Sequence, residues 1–300
     1  MQTLADIGED SLIHRLVNGL PQDKSVITGP GDDCAVVTAM GEGRHLLLKA
    51  DAVVEGVHFL REAAPQLIGR KALARAVSDI GAMGGVPKHA LVTLVLPTDL
   101  DVAYVEGLYQ GMSDLAHEFG ISIVGGETTR GGQIVISVAL TGEAEAGGCV
   151  LRSTACAGDA IMVTGRLGGS ILGHHFTFQP RVNLAHWLVR NHRPHSMMDL
   201  SDGLAKDLPR LAAASGVSFV VEPGALPCTR GCTTSQAWGD GEDYELLFTI
   251  ADDGVEALQS DWAGAFPDVP LTKIGRMVPL GQGSLPAFQS TGWDPFVQPV

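Results

Sequence analysis

Apolar positions recur along the chain with two periods, and the alternation between them lays out the elements. Leu12, Ile13, Leu16, Val17 and Leu20 share one helical face and predict a helix over 10–20. After the loop GPGDD (29–33), two short apolar runs, AVVT (35–38) and HLLLKA (45–50), read as strands. Residues 67–84 return to helical spacing through Leu73, Ala76, Val77 and Ile80, and Gly84-Gly85 followed by Pro87 closes that helix. ALVTLVL (90–96) reads as a buried strand. Asp101 is placed to cap a helix carrying Val102, Val105, Leu108, Met112, Leu115 and Phe119, which stops at Gly120. ISIVG (121–125) and QIVISVALTG (133–142) are strands. Strands and long helices mixed in this way predict an α+β domain.

Gly147-Gly148 marks a boundary, which divides the chain into 1–147 and 148–300. The second part is again mixed. AIMVTG (160–165), SFVVE (218–222), YELLFTI (244–250) and LTKIGRM (271–277) read as strands. Residues 203–214 and 252–260 read as helices, the former with Pro209 as an awkward interior residue.

Composition narrows the function classes. With 45% hydrophobic residues in 300 positions the chain can bury a sizeable core. A formal charge of −14 and the absence of a Lys/Arg run argue against nucleic acid as a partner. No apolar run approaches the ~18 residues of a membrane span, and the acidic N-terminus lacks the apolar core of a signal peptide. Cys34, Cys149, Cys156, Cys228 and Cys232 are odd in number and lack a CxxC, which fits reduced thiols. A soluble, cytoplasmic protein is expected.

The usual nucleotide motifs are missing. There is no GxxxxGK[ST], no GxGxxG after a strand and no HExxH. What recurs is acid beside glycine at the ends of apolar runs: Asp32 and Asp33, Asp51, Asp79, Glu127, Asp199 and Asp202, then Glu242, Asp243 and Glu245. Each has a bland reading. Asp32 or Asp33 can cap a turn, Asp79 can pair with Arg75 on a helix surface, and Asp202 can cap the next helix. Together they form the pattern of a site for several Mg²⁺ ions. Mg²⁺ takes carboxylate oxygens, few per ion, and phosphoryl transfer needs its charge more than it needs covalent help from the protein.

GDDCAVV (31–37), DAVVEGVHF (51–59), SDIGAMGGVP (78–87), GGETTRG (125–131), DLSDGLAKDL (199–208) and GEDYELLFT (241–249) occur in one order over nearly the whole chain. In that order they resemble the thiamine-monophosphate kinase family of the aminoimidazole-ribonucleotide synthetase-like superfamily. The resemblance implies a two-domain fold, with an N-terminal α+β domain that binds ATP and Mg²⁺ and dimerises, and a C-terminal α/β domain. It implies ATP-dependent phosphorylation of thiamine monophosphate to thiamine diphosphate, with ATP as co-substrate, several Mg²⁺ ions and a homodimer. The alternatives are another ATP-dependent enzyme of the superfamily, one that activates an amide or formyl oxygen, and an inactive metal-binding dimer.

By the same resemblance, Asp33, Asp51, Asp79, Glu127, Asp199 and Asp202 correspond to metal ligands, with Asp51, Asp79 and Asp202 at the catalytic centre. Gly126, Glu127, Arg152 and Ser201 correspond to ATP contacts. His58, Glu242 and Trp293 correspond to contacts with thiamine monophosphate. A turn histidine and a packing tryptophan are the bland readings of His58 and Trp293. The chain departs from the family pattern at three places. Lys49-Ala50 stands where two hydroxyl residues are usual, Glu127 stands where Asp is usual, and the stretch between Gly169 and Arg181 is short.

Overall fold

The computed structural model describes residues 3–39, 43–284 and 292–297. In chain order the first elements are α1 (Leu4–Val17), β1 (Val26–Thr28), β2 (Ala35–Thr38), β3 (Arg44–Val54), α2 (Pro65–Ala82), β4 (Val86–Leu96), α3 (Val102–Phe119), β5 (Ser122–Arg130) and β6 (Val135–Glu145). They are followed by β7 (Ala160–Thr164), α4 (His174–Thr177), α5 (Val182–Asn191), β8 (Ser196–Asp199), α6 (Leu204–Ala214), β9 (Ser218–Val221), α7 (Thr234–Gly239), β10 (Leu246–Ile250), α8 (Val255–Ala265) and β11 (Leu271–Val278). The mixed α and β content predicted from the pattern is present. Among the described residues no helix is long and apolar enough to cross a membrane.

The chain forms two compact units. One holds residues 33–150 and 171–193, here the Asp33 unit; the other holds 1–32, 151–170 and 194–300, here the Asp199 unit.

In the Asp33 unit the strands run in the order β2-β3-β6-β4-β5. Strand pairs are antiparallel except β4–β5, which is parallel and is joined through α3. Period 2 sorts the side chains of β3, where Leu47 and Val53 are buried and Leu48 is exposed. Lys49 and Asp51 therefore share the buried face with Leu47 and Val53. On β6, Ile136, Val138 and Leu140 belong to the same core, and Asp51 stands opposite Val138. The strand HLLLKA continues through DAVV, so Asp51 lies inside β3 and not in a loop at its end.

Helix α2 is the most buried helix here, and two glycines let α3 approach it. A Cβ at Gly69 would lie 1.9 Å from the Leu108 carbonyl oxygen, and one at Gly111 would lie 1.8 Å from that of Gln66. Backbone meets backbone at both points, so no side chain can yield. Asp101 caps α3 as predicted, accepting the Ala103 N–H at 3.0 Å.

The Asp199 unit is built on β8-β10-β7-β11-β9, with every neighbouring pair antiparallel. Helix α6 lays Leu204, Leu208 and Leu211 on a core that includes Ile161, Met198, Phe219, Leu247 and Ile274. Pro209 sits inside α6 without ending it.

Gly111→Ala is expected to lower the melting temperature. Helix propensity favours Ala by about 1 kcal/mol, but forcing a methyl into a packed contact costs about 1–3 kcal/mol, and a clash with backbone belongs at the top of that range. A thermal scan that shows equal or higher stability would refute the close-approach argument.

Candidate active site

In the Asp33 unit, β3 and α2 bring three of the expected acids together with two cations. Asp33 is buried at the end of the GPGDD loop, and a carboxylate oxygen of Asp33 lies within 4.8 Å of one of Asp79. Lys49 Nζ donates to Asp79 Oδ1 at 2.7 Å. Arg75 clamps Asp51 with Nε on Oδ2 and Nη2 on Oδ1, both at 3.1 Å, a two-pronged geometry that fixes orientation as well as charge. Asp51 Oδ1 also accepts the Ala52 N–H at 2.7 Å. Burial pulls the Lys49 ammonium down, but the charges of Asp79 and Asp51 outweigh it and hold it well above its ordinary value. Burial likewise pushes the Asp51 carboxyl up, and Arg75 and Lys49 outweigh it and hold it low. Lys49 and Asp51 therefore stay charged at neutral pH.

The helix-surface reading of Asp79 does not hold. Asp79 is buried and turns to Lys49, while Arg75 reaches across to Asp51. Lys49, the residue that departs from the family pattern, is thus a fixed counter-ion inside the acid group. Oxygen donors such as Asp33 and Asp79, buried and close together, are a donor set that suits a hard divalent cation such as Mg²⁺.

Helix α2 contributes one more group that the sequence reading missed. Lys71 is fully buried, one turn before Arg75. Its Nζ donates to the His58 carbonyl oxygen and contacts His175 Nδ1, each at 2.7 Å. The His58 loop is thereby tied to α2. His58 Nδ1 accepts the Val54 N–H at 3.1 Å, so the ring proton of the neutral tautomer is assigned to Nε2. The spacing Lys71, Arg75, Asp79, each four residues apart on one helix face, was the available signal.

Gly126 and Glu127 stand on β5, an exposed strand, paired with Val92 and Thr93 of β4. A Cβ at Gly126 would lie 1.8 Å from the Val92 carbonyl oxygen, so only glycine fits there. Glu127 is exposed, and its Oε1 accepts the Thr128 N–H at 3.1 Å. It is not among the carboxylates gathered between β3 and α2.

In the Asp199 unit the loop 200–203 is a hub. Asp199 is buried at the end of β8, a strand not predicted from SMMD. The Ser201 carbonyl accepts the Glu242 N–H at 2.7 Å, and the Asp202 carbonyl accepts the Trp293 N–H at 2.9 Å. The Leu200 carbonyl accepts the Tyr244 N–H at 2.8 Å. Asp199, Ser201, Asp202, Glu242 and Trp293 are thus positioned by one short segment. Asp202 does not cap α6. Gly203 is the N-cap residue, and Asp207 in the first turn reaches back to accept the Ser201 and Asp202 N–H groups at 3.0 and 2.9 Å. Asp202 instead receives Arg210 Nη1 at 2.5 Å. Burial, then the Asp202 charge, push the Asp207 carboxyl upward against the pull of Arg210. Arg152 lies in a one-turn helix, where its N–H donates to Asp32 Oδ2 at 3.0 Å and its carbonyl accepts the Ser215 hydroxyl at 2.7 Å.

The segment GEDYE is strained. Glu242 and Tyr244 have φ of 64° and 52°, the left-handed region that non-glycine residues seldom occupy. Between them Asp243 is buried, with both carboxylate oxygens on the Gly168 N–H at 3.0 and 3.2 Å. Burial drives the Asp243 carboxyl up to about 8, partly offset by the Gly168 N–H and reinforced by Glu245 and Asp240.

Comparison with known proteins follows this geometry. The family model for the AIR synthase related protein N-terminal domain matches residues 31–144, and that for the C-terminal domain matches 138–285. Thiamine-monophosphate kinase of Rhodopirellula baltica is 35% identical over 289 residues, covering 90% of this chain and 89% of the relative. That of Bacillus subtilis is 33% identical over 296 residues, covering 89% and 90%. A solved structure described as "AaThiL complexed with AMPPCP and TMP" is 32% identical with a TM-score of 0.84, covering 98% of this chain and 99% of that one.

Two outcomes follow from the charges. Lys49→Met leaves the acids with Arg75 as the remaining cation of this group, so the metal-free protein should lose stability. Breaking a buried pair costs about 3–5 kcal/mol; Lys49 keeps 21% of its side chain exposed, so roughly 1–3 kcal/mol is expected. Added Mg²⁺ should raise the melting temperature of the variant more than that of the parent. An unchanged melting temperature in EDTA would remove Lys49 as a counter-ion.

The second outcome concerns pH. Between the ordinary carboxylate value, about 4, and the raised value of Asp243, about 8, the folded chain keeps a proton that the unfolded chain has lost. Stability from this group is therefore full below about pH 4 and is lost as pH rises towards 8. Asp243→Asn should flatten the dependence of melting temperature on pH between 5 and 8. Parallel profiles for parent and variant would show that Asp243 does not titrate in that window.

Proposed function

Because the chain belongs to the AIR synthase related proteins and, among them, to the thiamine-monophosphate kinase family, we propose that it transfers the terminal phosphoryl group of ATP to thiamine monophosphate, giving ADP and thiamine diphosphate. The observation that carries this reading is 35% identity with a named kinase across nine-tenths of both chains. A phosphate oxygen of the acceptor attacks the γ-phosphorus in line, and the bond to the β-phosphate oxygen breaks. No water enters the balance.

Both reactants are anions, so their approach is electrostatically opposed. Bound Mg²⁺ would supply charge neutralisation at the phosphates. In the Asp33 unit, Asp33, Asp51, Asp79 and Glu127 are the residues proposed as ligands, and in the Asp199 unit, taken by itself, Asp199 and Asp202 are. The ammonium of Lys49 and the guanidinium of Arg75 hold Asp79 and Asp51 in place before any ligand arrives. Asp51, Asp79 and Asp202 are the acids on which turnover should depend most.

Gly126, Glu127, Arg152 and Ser201 take ATP in this reading. His58, Glu242 and Trp293 take the thiamine phosphate. The His58 Nε2 proton suits a phosphate oxygen as acceptor. The Trp293 indole, 37% exposed, offers a face on which a cationic thiazolium ring gains attraction beyond stacking. In this reading residues 1–147 are the N-terminal domain, which binds ATP and Mg²⁺ together with groups from the C-terminal domain, 148–300. We also infer a homodimer. The face of the Asp33-unit sheet that carries Leu48, Leu91 and Val124 leaves them 41%, 49% and 58% exposed, and a second copy of the same face would cover them.

The test is chromatographic detection of thiamine diphosphate, together with ADP release, from Mg·ATP and thiamine monophosphate. Product should require all three components. Asp51→Asn and Asp79→Asn should each lower kcat on the order of a hundredfold or more, since a bound metal contributes several kcal/mol to phosphate charge stabilisation, and each should also lose stability, because Arg75 or Lys49 is left short of its partner. A folded Asn variant of full activity would sink the ligand assignment, and ATP binding without diphosphate formation would sink the acceptor.

A further inference from the structure

A second cluster of ligating side chains lies in the Asp199 unit, and the proposed reaction does not use it. The turn before β7 carries Cys156 and Asp159, and the segment entering β8 carries His195. His195 Nδ1 lies 2.9 Å from Asp159 Oδ1 and 3.0 Å from Oδ2. One ligand atom from each of Cys156, Asp159 and His195 lies within 4.8 Å of the other two. We propose that these three residues form a binding site for a borderline-soft divalent cation such as Zn²⁺, separate in chemistry from the oxygen-only acids between β3 and α2.

The donor set argues for it first. Thiolate, imidazole and carboxylate select zinc-like ions, whereas Mg²⁺ takes oxygen. A thiolate and a carboxylate together neutralise a divalent charge, and neutral imidazole completes three protein ligands with one position open. When the metal binds, the Cys156 thiol proton is released to solvent. The close approach of His195 Nδ1 to the Asp159 carboxylate marks where the cation would enter.

The scaffold is fixed where a site needs it fixed. Asp159 is 3% exposed. Its carbonyl accepts the Met277 N–H at 2.8 Å, and the neighbouring Gly158 N–H donates to the Met277 carbonyl at 2.9 Å. Asp159 Oδ2 accepts the Cys156 N–H at 2.8 Å. The His195 N–H donates to the Thr249 carbonyl at 2.8 Å. The working side chains are accessible, since Cys156 is exposed and the His195 side chain is 40% exposed. In a tetrahedral zinc site donors stand about 3.2–3.6 Å apart, from bonds of about 2.0–2.3 Å. The Cys156 thiol, which now lies 3.8 Å from the Thr154 carbonyl oxygen, would have to turn towards Asp159 and His195 to close the site. As an ion pair alone, His195–Asp159 would contribute little at this exposure; the thiol as third donor gives the group a ligand.

The test uses Co²⁺ titrated into the full chain in excess Mg²⁺, which occupies oxygen-only sites. One equivalent should produce a thiolate-to-cobalt charge-transfer band in the near ultraviolet, and Zn²⁺ should bleach it. Cys156→Ser should abolish the band, and His195→Asn should weaken Co²⁺ binding at least tenfold, while both variants retain the circular dichroism of the parent. Cys228→Ser and Cys232→Ser should leave the band unchanged. No band at stoichiometric Co²⁺, a band that survives Cys156→Ser, or one lost with Cys228 or Cys232, overturns the proposal. None of these outcomes depends on the kinase reading, which Mg²⁺ and ATP test separately.

Discussion

Carboxylates taken out of water must be matched by charge, and in the Asp33 unit this requirement is met by two cations from neighbouring elements. Lys49 comes from the same strand as Asp51 but reaches Asp79, and Arg75 comes from the same helix as Asp79 but reaches Asp51. Each element therefore supplies one acid and one base to the other. The crossed pairs tie β3 to α2 more specifically than apolar packing can, because either pair alone would leave a charge stranded in a partly dry environment. The close approach of α3 at Gly69 and Gly111 then holds α2 from its other side.

The Asp199 unit solves a different problem, that of placing residues far apart in sequence around one loop. Backbone carbonyls of Leu200, Ser201 and Asp202 hold Tyr244, Glu242 and Trp293 in turn. The loop itself is braced by Asp207 from the first turn of α6. Main-chain bonds do the positioning here. Kinase chemistry between two phosphates is mostly a matter of position and charge, and both kinds of hold are present in this family member.

Much of this was legible in advance, for identifiable reasons. Short apolar runs found β2, β4, β6 and β7, and β7 is buried along its whole length. Helical spacing found α2, α3 and α6. The acids themselves stood out by their setting beside glycine. Their partners did not, because the i,i+4 rule sees Arg75 and Asp79 as neighbours on a helix surface and knows nothing of the strand lying against them. Lys71 was invisible for the same reason: a lysine in a helix reads as solvated until a carbonyl and a histidine ring are found over it. SMMD was too short to declare itself a strand, and the bracing of the 200–203 loop by Asp207 depends on a backward reach that spacing alone attributes to Asp202.

The left-handed backbone at Glu242 and Tyr244 sets two demands on one segment. Glycine at 242 would relieve the conformational cost there, so a laboratory selection for heat resistance alone would drift towards it, whereas glycine at 244 would delete a buried aromatic ring. A glycine at 242 would remove the very carboxylate that the loop holds in place. Thermal robustness and the role proposed for Glu242 thus pull the composition of this position in opposite directions, and variants gained by the first should be screened for loss of the second.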